Sequence, residues 1–219
     1  MNVSRLMLTV AAVAVIAPTA GAEILWDQSD VDPFGPGFFN AISGEPPLGI
    51  TMYTVSDVTV EGGTWTIESI TTYYSALDPA WGFAIFGGKL NVFDKTGSLP
   101  IDGVDDPTMG MDVEMSAVLD GETWVVSATG LSIELEPGEY WIGITPEAPS
   151  GPFGPEIHLS TGTFIGDASP SYDPFGFPEP MWMNFTPDAD ASILIEGTFE
   201  GGTPTQKSSW SNLKSFYSN

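Results

Sequence analysis

The sequence predicts an all-β protein: a two-sheet antiparallel sandwich of jelly-roll type, with about eleven strands and a short helical tail at the C-terminal end. Three observations predict it. Short runs rich in Val, Ile, Thr, Trp, Tyr and Phe recur along the chain, separated by Gly, Pro, Asp and Asn. Between residues 23 and 200 no stretch long enough for a helix repeats its apolar residues with helical period. Turn-forming pairs such as Asp120-Gly121 and Pro137-Gly138 fall between apolar-rich runs, where hairpin turns belong.

The elements follow in order. Residues 24–28 form a first strand, and 30–37, with Pro33 and Pro36, a loop. Residues 38–43 make a short strand or turn before Glu45-Pro46-Pro47. Residues 50–60 read as one long strand with a kink at Ser56-Asp57. After the turn Glu61-Gly62-Gly63, residues 64–74 alternate, but the apolar face changes side near Ile70, which predicts a bulge or a strand shared between sheets. Residues 83–86 and 89–94 form the next pair, and 102–107 an acidic loop. Residues 111–119 and 123–128 flank Asp120-Gly121 and predict a hairpin with a type I′ turn. Residues 132–135 and 140–145 are joined by Glu136-Pro137-Gly138. The segments 157–160, 181–185 and 191–199 complete the set.

The two ends differ from this body. Residues 1–22 have the layout of a signal peptide: a short n-region with Arg5, an apolar run over 6–17, Pro18, and the small-residue pattern Ala20-Gly21-Ala22. The run is too short to span a bilayer, and no cysteine near the cleavage point offers a lipid anchor. The expected location is extracellular or cell-surface. One β-sandwich domain is expected over 23–200, then a Gly/Thr/Pro linker over 201–206. In the tail, 207–219, the charge inverts to two lysines and no acid. There Trp210, Leu213 and Phe216/Tyr217 fall at helical spacing, with Lys214 between them and Ser208 or Ser209 placed as an N-cap.

Charge bounds the partners. The chain carries 29 acidic against 5 basic residues, for a net charge of −24, so nucleic acid and anionic membrane are repelled. No mature-chain segment is apolar enough for a membrane span. With no cysteine, thiol chemistry and thiolate metal ligation are excluded. Aromatic residues at 12% of the chain argue for a folded core rather than a disordered tract.

Candidate chemistry is sparse. His158 is the one histidine, in a strand-like context, and no Gly-x-Ser-x-Gly elbow accompanies it, so a serine triad and zinc catalysis both lack their parts. The nearest approach to the alternating carboxylates of β-sandwich glucanases is Asp112-Val113-Glu114, one acid short, with Glu134 and Glu136 running into a turn. No cofactor is expected, with calcium as the exception. Asp27, Asp30 and Asp32 crowd one loop, Asp102, Asp105 and Asp106 a second, and Asp188 and Asp190 a third; a solvated, turn-forming role competes with calcium for all of them. Among the aromatics, Trp65, Trp124 and Trp141 lie in strand patterns and read as core. Trp81, Tyr73, Tyr74, Tyr172 and Trp182 lie nearer loops; Trp81, Tyr172 and Trp182 are the candidates for stacking on a carbohydrate.

Three stretches carry a resemblance: Leu25-Trp26-Asp27-Gln28, the run from Val58 to Ile70 around Glu61-Gly62-Gly63-Thr64-Trp65, and Pro137-Gly138-Glu139-Tyr140-Trp141-Ile142. Together they resemble a group of uncharacterised exported bacterial β-sandwich proteins that often end in short sorting tails of the PEP-CTERM kind. That group lends no activity. The PEP-CTERM tail itself is missing, since no apolar helix and basic end follow Pro178-Glu179-Pro180. The ending around Trp210, Leu213, Lys214, Phe216 and Tyr217 is similar instead to Ser-Trp-Gly-x-Ile-Lys endings, with Ser211 where glycine is usual. The resemblance implies a sorting or attachment role for the tail.

The sequence thus points to a non-catalytic structural or adhesive protein of the cell surface or extracellular matrix, whose partners would be surface or matrix polysaccharide or surface proteins. The alternative is a carbohydrate-binding module, and behind it a glycosidase.

Overall fold

The computed structural model describes residues 22–44, 51–76, 84–148, 155–176, 179–186 and 188–201. The expected signal peptide, linker and C-terminal tail, and Trp81, lie outside these residues. The described chain is all-β and sandwich-like, with fifteen strands in three antiparallel sheets and a 3-10 turn at Pro107–Met109.

The strands are β1 (Glu23–Gln28), β2 (Gly37–Phe39), β3 (Ala41–Ile42), β4 (Thr51–Thr54), β5 (Ser56–Val60), β6 (Gly63–Ser75), β7 (Gly87–Asp94), β8 (Met111–Glu114), β9 (Ser116–Asp120), β10 (Thr123–Leu135), β11 (Gly138–Pro146), β12 (Glu156–His158), β13 (Ser171–Asp173), β14 (Met181–Met183) and β15 (Ile193–Gly201). The large sheet runs β1-β15-β6-β10-β9, with β12 bridging β6 to β2. A four-stranded sheet runs β5-β11-β7-β8, and a small one β14-β13-β4-β3.

These sheets stack as layers, and alternation along β11 shows how. Ile142 and Ile144 point into the main core, where they meet Ile67, Ile70, Trp124, Val126, Ile193 and Ile195 of the large sheet. Trp141 points the other way, into a second core with Tyr53, Val55, Tyr172 and Trp182 around the small sheet. A strand buried on both faces loses its polar alternation, as β11 does from Trp141 onward. Packing against β4 is so close that a side chain at Gly143 would meet the Thr54 carbonyl.

Several expected strands divide, and the divisions have causes. The run 50–60 breaks at Val55, where the chain leaves the small sheet as β4 and enters the four-stranded one as β5. The run 111–119 breaks at Met115 in the same way, β8 and β9 belonging to different sheets. Conversely, 123–128 and 132–135 are one strand, β10, carried past an irregularity between Thr129 and Ile133 where Gly130 adopts φ +72°. The predicted face change near Ile70 is a register shift on both sides of β6: Ile67 and Ser69 pair with Ile133 and Thr129 on one side and with Gly197 and Glu196 on the other. The β9–β10 hairpin forms, but its turn differs from the expectation. Asp120 pairs with Thr123, so Gly121 and Glu122 are the central residues, and of these Gly121 alone has positive φ, at +59°. Positive φ at the first central position suits the type II′ family rather than I′. The segment 83–86 contributes no strand within its described part, and β13 was not anticipated.

One buried side chain joins all three sheets. Asn40, fully buried between β2 and β3, donates through Nδ2 to Tyr74 Oη (2.8 Å) on β6 and to the Ile144 carbonyl (2.9 Å) on β11. Its Oδ1 accepts from the Thr54 amide (3.1 Å) on β4 and from Thr145 Oγ1 (2.8 Å) on β11. All four hydrogen-bonding sites of the amide are used. Asn40→Ala is expected to destabilise by about 3–5 kcal/mol, since it strands several buried groups at once. Asn40→Asp is expected to be similarly damaging, because a carboxylate accepts but cannot donate to Tyr74 and Ile144. Chemical denaturation of both variants checks this.

Candidate functional site

The densest polar chemistry lies between β5, β11 and the segment 165–170, not at any loop singled out from the sequence. Asp57 on β5 pairs in register with Trp141 on β11, which in turn pairs with Phe93 on β7. Lys95, one residue beyond β7, is tied to β11 by a hydrogen bond that its backbone amide donates to the Glu139 carbonyl (2.8 Å). Its side chain crosses above the Trp141 ring, with Nζ 5.2 Å from the ring centre. There it meets Asp57 Oδ2 at 3.1 Å and Asp167 Oδ2 at 2.9 Å. The Lys95 and Asp57 side chains are 9% and 7% exposed, so this is an interior ion pair.

A second buried carboxylate lies beside it. Asp190 Oδ2 accepts from Gln28 Nε2 (2.7 Å) and from the Ile165 amide (3.1 Å). The Asp167 amide donates to Asp57 Oδ2 (2.9 Å), so two amides of one turn grip two carboxylates. Between them Gly166 adopts φ +74°, and any side chain there would collide with Asp57 Oδ2. Ser169 completes the attachment: its hydroxyl donates to Ser56 Oγ (3.1 Å) and accepts from the Ala191 amide (2.8 Å). One oxygen of each carboxylate, Asp57 Oδ1 and Asp190 Oδ1, is buried without a hydrogen-bond partner.

Burial dominates the electrostatics. It pushes the Asp190 carboxyl up to about 7, with the Asp57 charge adding to the rise and the Ile165 amide and Gln28 opposing it. Burial also raises Asp57, against the Asp167 amide and Lys95. Lys95 is raised: burial opposes its charge, but its two carboxylate partners prevail. His158 is lowered by burial, partly offset by Asp32, and both ring nitrogens are buried without a partner. It therefore lacks the serine and the orienting carboxylate that a triad requires.

The residues expected from the sequence are placed as follows. Asp27 Oδ1 caps Ser29 through its amide (3.0 Å) and hydroxyl (2.6 Å), and Asp32 Oδ1 accepts from the Phe34 amide (3.0 Å). Asp30 is exposed. Asp102 Oδ1 accepts from the Trp182 amide (2.7 Å), Asp105 Oδ2 from the Ile101 amide (2.7 Å), and Asp106 Oδ1 caps the 3-10 turn through Thr108. Asp27, Asp32, Asp105 and Asp106 thus serve their own loops and Asp102 ties its loop to β14, and among the described residues no group of three or more acids or histidines gathers to hold a metal ion. The stacking expectation is corrected at two positions: Tyr172 and Trp182 are 7% and 3% exposed, packed tilted against each other at 5.2 Å in the second core, and offer no face to a sugar. Tyr74 is likewise fully buried, while Trp65, Trp124 and Trp141 are core residues as expected. Asp112 pairs with Lys89 at 2.6 Å. An open groove of about 380 Å³ between β8 and the irregular part of β10 has Glu114 as its one lining carboxylate, whereas glycoside hydrolysis needs two.

Sequence reasoning placed Asp57 at a kink, Asp190 in a turn-forming pair and Lys95 among scattered lysines, and brought none of them together. The one available signal was scarcity: a lysine between strands in a chain this acidic has many possible partners.

Two predictions follow from the carboxylates. A group whose folded-state pKa is raised stabilises the fold fully below its unfolded pKa and loses that contribution as pH rises through the folded value. For Asp190 the window runs from about 4 to about 7. Asp190→Asn is therefore expected to gain about 2–3 kcal/mol relative to wild type between pH 5 and pH 8, measured by denaturant titration at both. Because the loop aspartates are engaged in turns, melting temperatures with and without a calcium chelator are expected to coincide. A clear drop on chelation would mean that these loops rearrange around an ion. Among the described residues no helix is long and apolar enough to cross a membrane. Comparisons with protein-family models, curated proteins and solved structures each find no match.

Proposed function

We propose that the chain is a non-catalytic structural or adhesive protein of the cell surface or extracellular matrix. In this reading it is a β-sandwich of jelly-roll type, exported by residues 1–22, with residues 207–219 as the sorting or attachment tag. The supporting observation is where the polar chemistry is spent. Asn40, Lys95, Asp57 and Asp190 face inward and join sheets or fasten a loop, and the hydrogen bonds they make are to the protein itself. A catalytic site needs such groups free and aimed at a substrate. The carbohydrate-binding reading loses Tyr172 and Trp182 to the core and retains Trp81, outside the described residues. The strong negative charge favours partners that are neutral or basic, such as uncharged polysaccharide or basic patches on surface proteins.

The experiment is fractionation of host cells expressing the full chain or a version ending at Gly202. The full chain is expected in the surface or envelope fraction and the truncated one in the medium. An identical distribution of the two would remove the attachment role of the tail.

A further inference from the structure

We infer that Lys95 and Asp57 are joined by an intramolecular amide bond, a covalent staple that ties the end of β7 to β5 across β11. The reacting groups are already in contact: Lys95 Nζ lies 3.1 Å from Asp57 Oδ2, an oxygen bonded to the carbon it would attack, with both side chains more than nine-tenths buried. Holding two groups at such a distance replaces an encounter in solution by an effective concentration on the order of 10⁵–10⁸ M.

The surrounding groups match the steps. An ammonium and a carboxylate condense to an amide and one water with no oxidant, cofactor or net change in protons. Asp167 Oδ2, 2.9 Å from Nζ, takes a proton from the amine. The nitrogen attacks Asp57 Cγ and forms the new C–N bond. Developing negative charge on Oδ2 is met by the Asp167 amide at 2.9 Å, as an oxyanion is held elsewhere by backbone N–H groups. Asp167 passes that proton on to Oδ1, the nitrogen gives up a second, and Oδ1 leaves as water with its C–O bond broken, so that Asp167 is regenerated. Oδ2 stays as the amide carbonyl on the same N–H.

Two further features fit. Asp57 Oδ1 is a buried oxygen without a partner, a costly arrangement, and it is the atom the reaction removes. The desolvation that raises Asp57 favours the protonated carboxyl, the form that can be attacked. Lys95 is held charged by its partners, but moving a proton from it to a carboxylate changes no total charge, and with Lys95 and Asp57 buried the neutral pair is penalised less than in water. Lys89 and Asp112 are an internal control. They touch at 2.6 Å, but Asp112 is 85% exposed, so water competes for every step. With no cysteine in the chain, this staple would do what a disulfide does in other exported proteins.

The inference is independent of the functional reading, since a freely released protein would carry the bond equally. The test is intact-mass spectrometry of the purified, denatured full chain after its N-terminus has been determined, followed by proteolytic mapping. The expected result is a mass lower than the sequence by one water and a branched peptide joining residues 57 and 95. Lys95→Arg and Asp57→Ala are expected at their full sequence masses, Asp167→Asn at full mass or converting slowly, and Asp112→Ala still short of one water. A wild-type mass equal to the sequence overturns the inference. So does a missing water that maps to Asp102-Gly103 or Asp120-Gly121 as a cyclised aspartate, without the branched peptide. Both wild-type readouts are independent of whether any variant folds.

Discussion

The architecture depends on one buried amide. Three sheets can stack only if their facing surfaces are held in a fixed mutual register, and apolar contact alone is non-directional. Asn40 supplies direction. Its carboxamide reaches β6, β11 and β4 together, and each is a member of a different sheet. A displacement of any layer by one residue would break at least one of these bonds at a side chain with no exposure to solvent. The value of such a hub lies as much in excluding other packings as in stabilising this one.

The second constraint follows from β11. Because it is covered on both faces, its neighbours β5 and β7 are fastened to it by ladder bonds and have no direct contact with each other in the sheet. Lys95 closes that gap by passing over Trp141 to Asp57. Burying an ammonium is costly, and here an aromatic face and two carboxylates offset the cost. Asp190 is less well provided. Its donors are the neutral Gln28 and Ile165 groups, with no cation among its hydrogen-bond partners. That difference explains why burial raises Asp190 to about 7 while Lys95 and the Asp167 amide counter the rise at Asp57. Two carboxylates under one loop therefore play unequal parts, one neutralised by charge and the other most comfortable with a proton.

How much of this was legible in the sequence depends on the range over which each feature is encoded. Strand content, the bulge in β6 and the β9–β10 hairpin are local, and the alternation of Trp65 and Ile67 against Ile70, Thr72 and Tyr74 carried the bulge plainly. Strand breaks at Val55 and Met115 were not legible, because an apolar residue continues the pattern while the chain changes sheet. The second core was misjudged for a related reason. Tyr172 sits in a short strand that the pattern does not mark, and Trp182 in a predicted one that lies near loops, and only the stacking of a third layer buries them. The polar cluster was invisible because its members are far apart in sequence, Asp57 from Asp190 and Gln28 from both, and nothing in a single chain marks which aspartate among so many turns inward. Asn40 lies inside the segment 38–43, which reads as a short strand or turn, and no local pattern marks it out.

The same layering explains the distribution of the remaining charge. Two of the strands that end a sheet, β8 and β9, carry exposed apolar residues: Met111, Val118 and Leu119, with Met109 nearby. An exposed strand edge with such residues invites pairing with another copy. Asp112, Glu114 and Asp120 lie on the same two strands, and the whole chain carries a charge of −24. Bringing two such edges together would place like charges near one another and compress a large negative field, which works against the short apolar contact. The acidity thus bears on the fold as well: it opposes the pairing of these strand edges, in a protein that holds Lys95 in its interior.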